Sequence, residues 1–243
     1  RDRSLDEELA IKVLRADLFG KSLDVQRFTR ELKLARQVNH PNVARVFHLD
    51  QGPGFIYYTM EYVPGVNLEA CFRSKGALSI AEAAAVFRQL AGGLAAIHAQ
   101  HVIHRDIKPA NVMLQESGRA VILDFGIARH EDEDLHITKP GAAPGTPEYM
   151  APEQMTGGKV DYRADLFALG VMMYEALTGK CPFEGNTQVA LYFAKSSREF
   201  RPLREVNPEI PRAAAELIES LLAPDPAERP QSAADIAQRL AGC

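Results

Sequence analysis

Apolar and polar positions recur along this chain in a way that predicts a small strand-plus-helix portion followed by a larger helical one. Leu9-Ala10-Ile11-Lys12-Val13-Leu14 is a nearly continuous apolar run holding one lysine. That is the pattern of a mostly buried strand carrying a single functional cation. From about Val25 to Gln37, Val25, Phe28, Leu32 and Ala35 recur at spacings of three and four, which predicts an amphipathic helix. Asn39-His40-Pro41 ends it, because proline disfavours helical geometry in the residue before it. Phe55 to Val63 reads as another strand, and Pro64-Gly65 marks a turn that divides the chain into residues 1–63 and 64–243. Ser79-Ile80-Ala81-Glu82 has the form of a capping box, and the helix behind it is predicted to run to about Ala99. Beyond Asp165 the pattern is mainly helical, broken at Asn207-Pro208 and Ala223-Pro224-Asp225-Pro226.

Composition narrows the class only a little. The 243 residues are 46% hydrophobic, enough for a real core, and no apolar run is read as approaching the roughly 20 residues of a membrane span. Three scattered cysteines give neither a disulfide framework nor a zinc site, as in a reducing compartment. With a net charge of −4 and no lysine/arginine stripe, the chain offers no footprint for nucleic acid. It opens on Arg1-Asp2-Arg3 without an initiator methionine or signal pattern and is read as a piece of a longer protein.

The chemistry is concentrated between residues 104 and 153. His104-Arg105-Asp106-Ile107-Lys108-Pro109-Ala110-Asn111 places an acid, a cation and an amide within six residues, and Asp124-Phe125-Gly126 follows. Gly145-Thr146-Pro147-Glu148-Tyr149-Met150-Ala151-Pro152-Glu153 comes next. Together with Ala10-Ile11-Lys12, these motifs in this order resemble the catalytic loop, metal-binding DFG, activation-segment end and strand lysine of protein kinases. The resemblance is closest to bacterial serine/threonine kinases of eukaryotic (Hanks) type. It implies an α+β, bilobal, protein-kinase-like fold. A small antiparallel-sheet N-lobe with one main helix, here truncated, would stand over a large, mainly helical C-lobe.

The resemblance also implies roles. ATP and Mg²⁺ (or Mn²⁺) would be the cofactors, with Asp124 and Asn111 as metal ligands and Lys12 on the α- and β-phosphates, anchored by Glu31. Asp106 would orient the substrate hydroxyl, and Lys108 would neutralise the γ-phosphate. Thr146 would bridge Asp106 and Lys108, and Lys108 and Thr146 favour serine/threonine acceptors over tyrosine. Met60-Glu61-Tyr62-Val63 resembles the gatekeeper and hinge, so adenine would bond to backbone groups of Glu61 and Val63 and pack between Ala10 and Met113. The segment from Gly145 to Glu153 would shape a peptide platform. Glu153 with Arg229 matches a buried ion pair, and Asp165 matches the aspartate that braces the catalytic loop.

Other signals are set aside or held as expectations. His98, His101 and His104 recur every three residues but are not read as a metal site, and Glu131-Asp132-Glu133-Asp134 is read as a solvated loop. Gly92-Gly93 lacks phosphate-loop spacing and is read as a place of close helix packing. Thr138 is the candidate activation-loop phosphosite, answered by Arg105. Only eleven residues precede Lys12, none of them glycine, so the first strand and glycine-rich phosphate lid are expected outside this chain, which alone would turn over poorly. The expected partners are proteins presenting serine or threonine, with a homodimer for trans-autophosphorylation, no nucleic acid and no membrane contact within the chain. The kinase domain is expected in the cytoplasm, in a parent that bacterial relatives often join to a transmembrane helix. The alternative reading is a pseudokinase or ATP-binding scaffold.

Overall fold

A computed structural model of the protein describes residues 8–15, 22–53, 55–124 and 147–241. In chain order it runs through strand β1 (Leu9–Arg15), helix α1 (Ser22–Ala35), strands β2 (Val46–Gly52), β3 (Phe55–Glu61) and β4 (Val66–Asn67), and helices α2 (Leu68–Lys75) and α3 (Ile80–Ala99). Strands β5 (Val112–Leu114) and β6 (Ala120–Ile122) follow. Helices α4 (Pro152–Met155), α5 (Arg163–Thr178), α6 (Gln188–Ser196), α7 (Leu203–Val206), α8 (Arg212–Leu221) and α9 (Ala233–Ala241) complete it. This is the α+β layout expected, with a small antiparallel sheet first and a mainly helical part after it.

The first sheet has the order β1-β3-β2, with both pairings antiparallel. Its register sets Lys12 opposite Tyr58 and Ala10 opposite Met60. Ile56 and Tyr58 are buried with Phe28, Leu32 and Ala35 of α1, the stripe that the three- and four-residue spacing predicts; the side chain of Val25 lies outside the described residues. One expectation is corrected here. The run Leu9–Leu14 is not mostly buried: Ile11 and Val13 are 61% and 58% exposed, while Leu14 packs on the core. Successive side chains of a strand point to opposite faces, so a continuous apolar run still shows half of itself to one side.

The helical part is organised around α3 and α5. Ser79 caps α3 by accepting from the Glu82 N–H at 3.2 Å, and Glu82 accepts from the Ser79 N–H at 3.0 Å. Every residue of α5 from Ala164 to Leu177 except Glu175 is buried, as befits a helix apolar on all sides. A second correction concerns length: α3, with 20 residues, is long and apolar enough to cross a membrane by composition alone. It lies instead against α5, α9 and β6, with Val86, Phe87, Leu90, Leu94 and Ile97 buried in the core.

The glycine pair in α3 divides into two different positions. A Cβ on Gly93 would meet the Asn42 carbonyl at 3.0 Å and the Val43 and Ile122 side chains at 3.1–3.2 Å. That carbonyl cannot retreat freely, because it accepts from the Ile122 N–H at 2.9 Å. A Cβ on Gly92 would touch only the His40 ring, at 3.6 Å. Close packing therefore explains Gly93 alone. Gly93→Ala is expected to destabilise by roughly 1–3 kcal/mol through overpacking, and Gly92→Ala to stabilise by about 0.5–1 kcal/mol. Urea unfolding of both variants checks the pair, and equal effects at the two sites would contradict the assignment.

Candidate active site

The loop between α3 and β5 is held by one buried carboxylate. Asp165, near the start of α5, accepts from the backbone N–H of His104 at 2.9 Å and of Arg105 at 2.8 Å, and its Oδ2 lies 2.8 Å from His98 Nε2. Burial pushes this carboxyl up, but the His98 hydrogen bond and the His104 amide outweigh it and leave the group below the usual carboxylate range. Asp165 thus braces the loop as expected. Arg105 takes a left-handed backbone with φ of 64°, a conformation that costs a non-glycine residue on the order of 1 kcal/mol and persists only where its surroundings impose it.

His104 links this brace to the next functional strand. Its Nδ1 accepts from the Asp106 N–H at 3.3 Å, so Nε2 carries the proton and donates to the Leu123 carbonyl at 2.9 Å. Full burial lowers its pKa, favouring this neutral tautomer. The Leu123 N–H donates to the Asn111 carbonyl at 2.8 Å, so the loop and the strand end fix each other. Asp124 follows with φ of 49°, also in the left-handed region.

Five of the predicted site residues meet in two groups, one of three and one of two. Lys108 Nζ lies 3.1 Å from Asp106 Oδ2, and Asn111 Nδ2 donates to that same oxygen at 2.9 Å and to the Asp106 carbonyl at 2.8 Å. Across the cleft, Lys12 Nζ lies 3.2 Å from Asp124 Oδ2. Lys12 is brought by β1, Asp124 by the end of β6, and Asp106 by the braced loop. With both Asn111 Nδ2 protons committed to Asp106, Oδ1 is its remaining ligating atom. It joins the Asp124 carboxylate as an oxygen donor set suited to a hard divalent cation. Glu31 is half-buried on α1. Thr146, Thr138, Phe125-Gly126, Glu131-Asp132-Glu133-Asp134 and the first five residues lie outside the described residues.

The residues predicted to line the adenine fall in two neighbourhoods. Val63 is buried in a small cluster with Ala44 and Val121, against which Met113 packs, while Ala10 and Met60 face each other in register. Glu61 has further duties the sequence does not announce. Its N–H donates to the Arg45 carbonyl at 2.8 Å, and its carboxylate accepts from Arg119 at 3.1 Å, tying β3 to the turn between β5 and β6. Tyr58 is another residue missed. Its hydroxyl donates to Asp124 Oδ1 at 3.4 Å, and burial followed by the Asp124 charge raises its pKa strongly. The available signal was the alternation Ile56-Tyr58-Met60, which puts one hydroxyl on the buried face.

The platform and its anchors are described from Pro147 onward. Arg229 grips Glu153 with two parallel bonds, at 2.7 and 2.9 Å, the geometry of a strong bidentate pair. Its other protons go to the carbonyls of Ala223, Arg163 and Pro224, and the guanidinium lies 4.9 Å from the centre of the Phe167 ring. Gln154 accepts from the Ala151 N–H at 2.9 Å and donates to the Arg105 carbonyl at 3.1 Å, so this segment touches the residue before Asp106.

Comparison with known proteins agrees with this arrangement. The family model for the protein kinase domain matches residues 1–240. Serine/threonine-protein kinase PrkC of Bacillus subtilis is 33% identical over 235 residues, covering 97% of this chain and 36% of that protein. Serine/threonine-protein kinases pkn2 and pkn3 of Myxococcus xanthus are 39% and 37% identical over 98% and 96% of this chain, and 29% and 44% of their own lengths. The chain therefore spans less than half of each of these relatives. The matched residues take in the braced loop, Lys12 and Asp124 alike, and the chain belongs to the protein kinase domain family.

Proposed function

We propose that this chain is the catalytic domain of a bacterial serine/threonine protein kinase, transferring the γ-phosphoryl group of ATP to serine or threonine hydroxyls of proteins. The observation that carries it is the three-way contact of Asp106 with Lys108 and Asn111 on one braced loop. The transition state is loose, with charge spread over the phosphoryl oxygens, so positioning and cations do most of the catalytic work. Asp106 orients the acceptor hydroxyl and takes its proton. Lys108, held 3.1 Å from Asp106, supplies positive charge beside the transferred group. Lys12 holds the α- and β-phosphates from the opposite wall, with Glu31 as its anchor on α1 and Tyr58 steadying Asp124. A divalent cation held by Asp124 and Asn111 would neutralise phosphate charge. Adenine lies between Ala10 and Met113, beside Met60 and the backbone of Glu61 and Val63.

The acceptor preference rests on Lys108, on Thr146, and on relatives named as serine/threonine kinases. Activation by phosphate on Thr138, with Arg105 answering it, belongs to the same proposal, as do trans-autophosphorylation in a homodimer and a cytoplasmic site of action. The parent protein, given labelled ATP, Mg²⁺ and a mixture of serine-, threonine- and tyrosine-containing peptides, is expected to label serine and threonine only. ATP binding without transfer to any peptide would favour the scaffold reading instead.

A further inference from the structure

Lys195 lies on α6, a helix that supplies nothing to phosphoryl transfer, yet its side chain is 0% exposed. Lysine is almost never fully buried unless its head group is satisfied, because taking an ammonium out of water costs several kcal/mol. Here Nζ donates to the Pro147 carbonyl at 2.6 Å and to the Met150 carbonyl at 2.7 Å, straddling a single turn. The Phe167 ring lies 5.7 Å away, and Glu148 and Cys181 are the titratable groups facing the amine. Burial pushes the amine down to about 7. Near neutral pH the ammonium and amine forms therefore coexist, and either one supplies the two N–H donors that the carbonyls take.

The turn it holds lies beside Asp106, since Tyr149 and Met150 line one small cavity with it. The Tyr149 hydroxyl in the middle of that turn donates to Glu175 of α5 at 2.6 Å. Just downstream, Gln154 connects the Ala151 N–H to the Arg105 carbonyl. The segment 147–151 is thus fastened to α6, α5 and the catalytic loop. The α6 fastening is the one made wholly to backbone carbonyls, so it fixes the course of the chain whatever side chains the turn carries.

Resting on the kinase reading, we propose that Lys195 is a positioning residue for the protein substrate, fixing the 147–150 turn as the platform on which the acceptor peptide lies beside Asp106. A purely structural lysine would change stability or kcat without distinguishing the two substrates. A platform residue changes the peptide term alone. With the parent protein and one serine peptide, Lys195→Met, which keeps the length and removes both donors, is expected to raise the peptide KM about tenfold. The ATP KM should stay within twofold, and Lys195→Arg should recover most of the loss. A folded Lys195→Met protein with wild-type peptide KM, or with both KM values raised alike, overturns the proposal while the kinase reading stands. Wild-type protein that labels no peptide overturns the kinase reading and this proposal with it. Should Lys195→Met not melt cooperatively, Lys195→Gln, whose amide falls one bond short of both carbonyls, decides: a selective rise in peptide KM supports the role and an unchanged one overturns it.

Discussion

Asp106→Asn is expected to lower kcat for peptide phosphorylation by about 10²–10⁴-fold, the range that a positioned general base supplies, while ATP still binds. The substitution is nearly isosteric, and it removes both the proton acceptor and the negative charge that Lys108 faces at 3.1 Å. Asn111 would lose its better acceptor at Oδ2 but keep the Asp106 backbone carbonyl at 2.8 Å, and the Asp165 bonds to His104 and Arg105 are untouched. The loop should therefore keep its course, so lost activity would report chemistry and not unfolding. Steady-state kinetics with one serine peptide, alongside ATP binding by calorimetry, separate the two. A rate within a few fold of wild type would remove Asp106 from the proton path, and with it the assignment of this loop as catalytic. Glu116→Gln, at an exposed carboxylate in the turn before Arg119, gives the baseline expected of an uninvolved acid.

The parts of this site legible in the sequence are those for which chemistry demands particular residue types at close spacing. Asp106, Lys108 and Asn111 fall within six residues because one short loop must present all three, and their contacts at 2.8–3.1 Å follow from that. Asp124 and Lys12 are also legible, since a lone charge in an apolar run is conspicuous. What stays hidden is hidden for physical reasons. Strand β2 buries one residue in seven and shifts register between Val46 and His48, so its alternation is broken. Strands β4 to β6 are two or three residues long, too short to show any period. Lys195 reads as an ordinary polar position of an amphipathic helix, because burial of its long stem and head depends on a carbonyl pair 45 and 48 residues away. Glu61 with Arg119, and Tyr58 with Asp124, are likewise pairings across 58 and 66 residues that no local pattern encodes.

Arg229→Ala is expected to cost roughly 3–5 kcal/mol, because it strands a carboxylate rather than merely deleting a bond. The arginine side chain is 0% exposed and the glutamate 12%, so water cannot replace the lost partner. The carbonyls of Ala223, Arg163 and Pro224 would be left unmet in the same stroke. For a domain of this size the melting temperature should fall on the order of ten degrees. The exposed pair Arg212–Glu216, although its atoms are 2.7 Å apart, provides the contrast: Arg212→Ala is expected to change stability by less than about 1 kcal/mol. The closest approach is the same in the two pairs, so burial and the carbonyl bonds that accompany it separate the outcomes. A double substitution distinguishes the charge from the packing, since Glu153→Leu on the Arg229→Met background removes both charges and should recover part of the loss. If Arg229→Ala melts within two degrees of wild type, the stranded-charge account is wrong and the bidentate pair is no anchor. If the double variant is no more stable than Arg229→Ala, the carbonyl bonds outweigh the ion pair in holding the end of the platform to the helices beneath it.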